Sequence, residues 1–323
     1  MQGKVLPEPD ATDPVCVGID VCKERLDVHI HPVNKRFAVA NYAGGWRRLK
    51  RRLTAFAVQR VVMEATSKYH RAAHRSLAAA GHAVAVINPL RARLFAEATG
   101  QLAKTDGVDA AMRARFGEQL APSVTAPAAE SLEELRELVH ARAAGVKDQT
   151  ALRNRLGEAL SAMVKAELSQ MIQNVVTMNQ RIEAAIETLI MADPALARRS
   201  ELLRSIPGIG PVVANTLIAD MSEIGSMTAK QAAALAGLAP YSRESGAKVG
   251  QRPIRAGRGI AWHALYMAAL VAARFNPCLK VFYKRLIEQG KPKKVVLIAV
   301  ARKLIILANT IVSENRHWKP KMG

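Results

Sequence analysis

Four acidic residues stand in apolar or helix-forming surroundings where a carboxylate has to be explained. Asp20 lies in VCVGIDV, Glu64 closes RVVMEA, and Asp106 and Asp109 lie in KTDGVDA. A carboxylate on an apolar strand is costly to bury unless a cation neutralises it. A spacing of three puts Asp106 and Asp109 on one face of a helix. Oxygen ligands of this kind suit Mg2+, which keeps several waters and bridges phosphate oxygens, with Mn2+ as a substitute. Two such ions can activate an attacking oxygen and stabilise a leaving one. The chemistry indicated is phosphoryl transfer dependent on a divalent ion, with these four acids as catalytic ligands. Taken singly, each acid has a plainer reading, since an Asp in a strand is most often a surface or turn residue.

A second candidate lies far along the chain. The stretch GLAPYSRESG carries Ser245 into a glycine-rich basic segment with Lys248, Arg252, Arg255 and Arg258. A serine hydroxyl is a poor nucleophile until activated, and clustered cations would bind a phosphate and stabilise its developing charge. A Ser-Gly step in a loop is more often a simple turn, and Ser242 competes with Ser245 by composition. Further on, Lys284, Arg285, Lys291, Lys293 and Lys294 form a basic helical tail. It reads either as a solvated face or as a contact with a nucleic-acid backbone. In IPGIG, Gly208 and Gly210 sit between two apolar helical stretches. Outward backbone amides there would make a phosphate nest of the helix–hairpin–helix kind; an ordinary interhelical turn is the alternative.

The bulk properties agree with a polyanionic partner. The 323 residues carry 47 Lys and Arg against 27 Asp and Glu, a net charge of +20. From Tyr241 to the C-terminus the count is 17 against 3, a net +14. Such an excess favours nucleic acid and predicts binding that weakens steeply with salt. The three cysteines, Cys16, Cys22 and Cys278, form no close metal-binding pair, as expected in a reducing cytosol. The opening MQGKVLPEPDATDP lacks the apolar core of a signal peptide. The longest apolar run, VVLIAVARKLIILA, is interrupted by Arg302 and Lys303, so no membrane span is expected. The expectation is a soluble, cytoplasmic protein.

Elements must hold these residues in place. Strands are predicted at 15–21, 26–31 and 36–41, a helix at 44–57, a strand at 60–65, a helix at 68–80 and a strand at 83–88. Helices follow at 90–98 and 107–120. The order matches a ribonuclease-H-like mixed sheet with helices on its faces, whose first strand, fourth strand and last helix converge at one end. Those are the elements carrying the acids. Residues 121–129 read as a linker rich in Pro, Ala and Ser. Ser131, with Glu134 three positions on, offers an N-cap to a long helical stretch reaching Met191. That stretch reads equally as a coiled-coil arm or as part of a bundle. The division predicted is a catalytic domain at 14–125, a helical connector at 130–195 and a mostly helical C-terminal domain at 200–317.

The motifs GIDVCKERLDVHI, EATSKYH, KTDGVDA, IPGIG, GLAPYSRESG, NPCLKVFYKRLIEQGK and VARKL together resemble the DEDD transposases of the IS110 insertion-sequence family, relatives of the Piv invertases. Cys22 stands where a serine is common and Ser67 where a glycine is common. The resemblance implies a RuvC-like domain with Asp20, Glu64, Asp106 and Asp109 binding Mg2+. It also implies a transposase domain in which Ser245 is the nucleophile and a phosphoserine link to DNA is the intermediate. A structured bridge RNA pairing with donor and target DNA is implied too, as is a dimer or tetramer that brings the two halves of the site together. The competing readings are a RuvC-like junction nuclease without a protein nucleophile, and a non-enzymatic nucleic-acid-binding protein.

Overall fold

The structure is a computed structural model that describes residues 13–65, 68–100, 106–241, 244–245, 248–249 and 253–320. The chain divides into two compact units, Met1–Ala128 and Ala129–Gly323.

The first unit contains β1 (Pro14–Val21), β2 (Arg25–His31), β3 (Lys35–Ala40), α1 (Ala43–Leu53), β4 (Ala57–Glu64), α2 (Tyr69–Ala78), β5 (Val84–Ile87), α3 (Pro89–Ala98) and α4 (Asp106–Leu120). The five strands form one sheet in the order β3-β2-β1-β4-β5. The first three strands pair antiparallel, and β4 and β5 join parallel to β1. This is the mixed α/β, ribonuclease-H-like sheet expected from the element order.

The two faces of the sheet differ in kind because side chains alternate along a strand. Val15, Val17, Ile19 and Val21 of β1, with Val28, Val61 and Met63, pack with Leu49 and Leu53 of α1 and Leu77 of α2 in one apolar cluster. The opposite face carries Cys16, Gly18 and Asp20 of β1, cross-strand from His31, His29 and Asp27 of β2. Helix α4 lies on this face. It comes so close that a Cβ on Gly18 would stand 2.0 Å from the carbonyl oxygen of Ala110 and 2.4 Å from the amide of Ala114. Only a glycine in β1 allows that approach.

Local patterning misplaced some boundaries. The helical spacing read at 44–57 ends at Leu53, and β4 starts at Ala57, earlier than expected. Pairing of Ala57 and Val58 with Pro14 and Val15 takes those residues into the sheet. Within the expected linker, Thr125 is tied to the edge of β5. Its N–H donates to Val84 O at 2.8 Å, and its hydroxyl oxygen accepts from Val86 N at 3.1 Å.

The second unit contains α5 (Glu130–Glu158), α6 (Ala162–Ala192), α7 (Pro194–Arg204), α8 (Pro211–Asp220), α9 (Ala229–Leu235), the two-residue strands β6 (Glu244–Ser245) and β7 (Lys248–Val249), α10 (Gly259–Phe275), α11 (Pro277–Glu288) and α12 (Lys293–Ser313). Its core is aliphatic, drawn from Leu217 and Ile218 of α8, Leu265 and Ala269 of α10, and Val300, Leu304 and Ala308 of α12. Leu135 and Val139 of α5, with Ile186 and Ile190 of α6, join the same core. The two long helices pack side by side, with Arg142 and Glu183 paired at 2.5 Å. At their connection Leu160 and Met163 are exposed.

Two expectations for this unit are corrected. Ser131 does not cap α5. The helix begins one residue earlier, after Ala129, whose carbonyl accepts from the amides of Leu132 and Glu133. The expected interruption of the apolar run is also corrected, because α12 has 21 residues with a most apolar window of mean hydropathy 2.2. Arg302 and Lys303 do not break the helix, and half of that window is buried inside the protein. Length and apolarity of this order are also those of a core helix.

Two tests follow from the packing of α4. Gly18→Ala should cost about 2–3 kcal/mol of stability through the clash with the α4 backbone, read as a lower urea midpoint at unchanged slope. His29, buried on the same face, accepts a hydrogen bond at Nδ1 from Arg36 Nε at 3.2 Å. Burial, then the charges of Arg36 and His31, push its pKa from 6.5 down to about 4. The unfolded chain takes up that proton first, so His29 contributes stability above pH 6.5 that is lost as the pH falls toward 4. Melting temperature should decline across that interval, and His29→Gln should flatten the decline.

Candidate active site

The acids of the first unit meet at the end of the sheet where β1 and β4 both stop. Asp20 is the penultimate residue of β1 and Glu64 the last of β4. Parallel pairing of Ile19 with Met63 brings the two strand ends level. Their side chains are only 12% and 19% exposed. Between them lies Arg113 of α4, itself 6% exposed, whose Nη2 is 3.0 Å from Asp20 Oδ1 and 2.7 Å from Glu64 Oε2. One guanidinium nitrogen thus serves both carboxylates. Arg113 was not singled out from the sequence. The signal was present, since it follows Asp109 by four residues and shares its helix face.

Asp109, half-buried on α4, lines an open cavity of about 450 Å³ together with Glu64 and Arg113. The rest of the wall includes Arg93, Phe95 and Phe116. Asp106 is the first residue of α4, and its side chain lies outside the described residues. Among the described residues, no three His, Cys, Asp or Glu side chains are gathered closely enough to hold a metal ion. The structure therefore brings Asp20 and Glu64 together, puts Asp109 on the cavity wall beside Glu64, and does not complete a tetrad. The donor set still fits a divalent ion. Its oxygens are the hard ligands that Mg2+ and Mn2+ take, and the Asp20–Glu64 pair is already held by a cation.

Asp27 is a further acid that sequence reading passed over. It pairs in register with Asp20 across β1 and β2, an arrangement in which like charges repel. Arg25 binds its Oδ1. Its Oδ2 is buried with no hydrogen-bond partner among the described residues.

In the second unit, Ser245 lies in β6, and its backbone pairs with that of Lys248 in β7. The side chains of both residues, together with Ser242 and Arg252, lie outside the described residues. The base of this segment is fixed. Pro240 and Ile254 form a bridge, and Tyr241 N–H donates to Pro253 O at 3.0 Å. Just below, Gly237 (φ +70°) and Gly257 (φ +89°) touch so closely that a Cβ on Gly257 would stand 2.2 Å from the Gly237 amide.

The expected phosphate-binding residues divide into two groups. Arg255, Lys284, Arg285, Lys291, Lys293 and Lys294 are exposed. Arg258 is used internally, donating to both carboxylate oxygens of Glu223 at 2.7 Å and to the carbonyl of Asp220. Burial pushes the Glu223 carboxyl up, but the bonds and charge of Arg258 outweigh it and hold the pKa below its ordinary value. Gly208, at φ +109°, is explained by packing, since a Cβ there would stand 2.6 Å from that of Ala272. Gly210 is the N-cap of α8 and has open space before it.

Comparison with known proteins adds the identity. Residues 17–165 match the model of DEDD transposases of the IS110 type, described as transposase, and residues 200–284 match the model described as transposase IS116/IS110/IS902 family. The pilin gene-inverting protein of Moraxella bovis is 29% identical over 325 residues, covering 95% of this chain and 98% of that protein. Its counterpart in Moraxella lacunata matches with the same identity and coverage. The insertion element IS110 uncharacterized 43.6 kDa protein of Streptomyces coelicolor is 26% identical over 50% of this chain and 39% of that protein. The chain belongs to the IS110-family DEDD transposases, enzymes that act on DNA in transposition and recombination.

Proposed function

We propose that the protein cuts and rejoins DNA through a phosphoserine intermediate, with Asp20, Glu64, Asp106 and Asp109 as ligands of divalent ions and Ser245 as nucleophile. The observation that carries the ion site is the buried Asp20–Glu64 pair at the ends of β1 and β4, held by a cation and flanked by the start of α4. Bound Mg2+, or Mn2+ in its place, supplies Lewis-acid stabilisation of charge on the phosphate oxygens. Attack by Ser245 Oγ on a phosphodiester phosphorus forms the Ser–O–P bond and releases a deoxyribose hydroxyl, which leaves with a proton. A hydroxyl of a second strand then attacks the same phosphorus, restores the phosphodiester and returns the serine. The count of phosphoester bonds is unchanged, so no external energy source is needed.

Donor and target DNA are the substrates in this reading, and a structured bridge RNA pairing with both supplies sequence selectivity. The protein then reads backbone and shape. The exposed cations of α11 and the start of α12, Arg255, Lys248, Arg252 and the open N-cap at Gly210 are the proposed backbone contacts. The connector at 130–195 joins protomers into a dimer or tetramer, a role favoured by the exposed Leu160 and Met163 at the turn between α5 and α6. The same contacts would make the motif around Gly208 and Gly210 a helix–hairpin–helix element.

The deciding experiment looks for a covalent protein–DNA adduct after denaturation, with the protein purified alongside whatever RNA it retains. The wild type should yield the adduct and one discrete structured RNA. Ser245→Ala and Asp20→Asn should each abolish the adduct. Cleavage that survives Ser245→Ala would identify a junction nuclease instead, and random RNA stripped by moderate salt would remove the guide. A separate titration tests the basic tail: Lys293→Gln with Lys294→Gln should reduce the slope of log affinity against log salt by about 2. An unchanged slope would place those residues away from DNA.

A further inference from the structure

We propose that Arg113 is the resident counter-ion of the carboxylate site, holding Asp20 and Glu64 together when no divalent ion is bound and yielding at least one of them when an ion enters. It thereby acts as a positioning residue that sets the affinity of the site for its ion. This rests on the reading of Asp20 and Glu64 as ion ligands.

The geometry is that of a contact made to be given up. A guanidinium whose task is permanent pairing commonly uses its fork, with two parallel bonds to one carboxylate. Arg113 instead spreads a single nitrogen over two acids, at 3.0 Å and 2.7 Å. Its Nε and Nη1 are buried with no hydrogen-bond partner among the described residues. A buried cation with unused donors is poorly compensated, so exchange for a better-matched ion costs less than breaking a complete pair.

Asp20, Glu64 and Asp109 bring three carboxylates to the neighbourhood of Arg113, which contacts two of them. Asp27 sits opposite Asp20, its Oδ1 bound by Arg25 and its Oδ2 buried with no hydrogen-bond partner among the described residues, and Asp109 lies one helical turn before Arg113. The cavity of about 450 Å³ bordered by Glu64, Asp109 and Arg113 gives an ion access to that side. Arginine suits the role because it stays charged at any working pH.

A fixed cation between two carboxylates repels any second cation that approaches the same oxygens. A divalent ion competing for the same oxygens meets the same field. Full-length wild type, Arg113→Gln, Arg113→Lys and Asp20→Asn are titrated with Mn2+ alone, free Mn2+ being read by electron paramagnetic resonance. Melting temperatures are recorded in parallel with and without chelator. Arg113→Gln should bind Mn2+ about tenfold tighter or more than wild type. It should also melt lower in chelator and gain more from Mn2+ than wild type does, with Arg113→Lys between the two and Asp20→Asn losing the ion. Equal or weaker binding by Arg113→Gln, with wild type still binding, would overturn the inference and leave the ligand reading intact. Absence of Mn2+ binding in wild type would overturn both. Should Arg113→Gln not fold, Arg113→Lys serves, because tighter binding than wild type supports exchange and equal or weaker binding overturns it.

Discussion

The contact on which the first unit depends is that of α4 with β1 across Gly18. Interior packing tolerates no gap wider than a methyl group without cost, and here even the methyl is absent. The helix backbone rests on the strand, with Ala110 and Ala114 as its contact residues. That approach fixes where Asp109 and Arg113 stand relative to the ends of β1 and β4. It also brings an otherwise open polar face under cover. His29 and Asp27 of β2 are buried where α4 covers this face, and Arg113 is buried on the side of α4 that meets the strands, so each has to be neutral or paired. The electrostatic character of the site therefore follows from a steric fact about one strand position.

Much of this was legible in the sequence. The apolar runs 15–21 and 60–65 announced strands, and the acids at their ends stood out because burying them is costly. KTDGVDA gave the helix start. Arg113 stayed hidden because an arginine in a mixed helix is usually solvated, and only three-dimensional pairing shows that it sits between carboxylates on two adjacent strands that are far apart in sequence. Asp27 stayed hidden for a related reason: its relation to Asp20 is a cross-strand register, which alternation alone does not supply. The boundary of α1 was misread because the helical period of 44–57 continued past the point where strand pairing took over. At Ser131 a plausible cap was bypassed because the carbonyl of Ala129 already accepted the first amides of α5.

The basic C-terminal quarter teaches a different lesson. A net charge counts every arginine equally, yet Arg258 is spent on Glu223 and on the carbonyl of Asp220. Among the described residues, Lys284, Arg285, Lys291, Lys293 and Lys294 are exposed on α11, the turn after it and the first turn of α12. At Gly208 the positive φ goes with the close passage of α10, since a Cβ there would meet Ala272, whereas a Cβ at Gly210 would meet nothing within 4 Å.

The stem beneath Ser245 has a thermodynamic meaning of its own. Bringing the ends of a segment together is an entropic cost that depends on loop length. The Pro240–Ile254 bridge, the Tyr241–Pro253 hydrogen bond and the abutting Gly237 and Gly257 meet that cost during folding. The loop that carries β6 and β7 is therefore closed by contacts outside those strands, and its closure does not depend on Ser245 or Lys248. A change that broke this stem would reopen the loop and add its closure to the cost of folding.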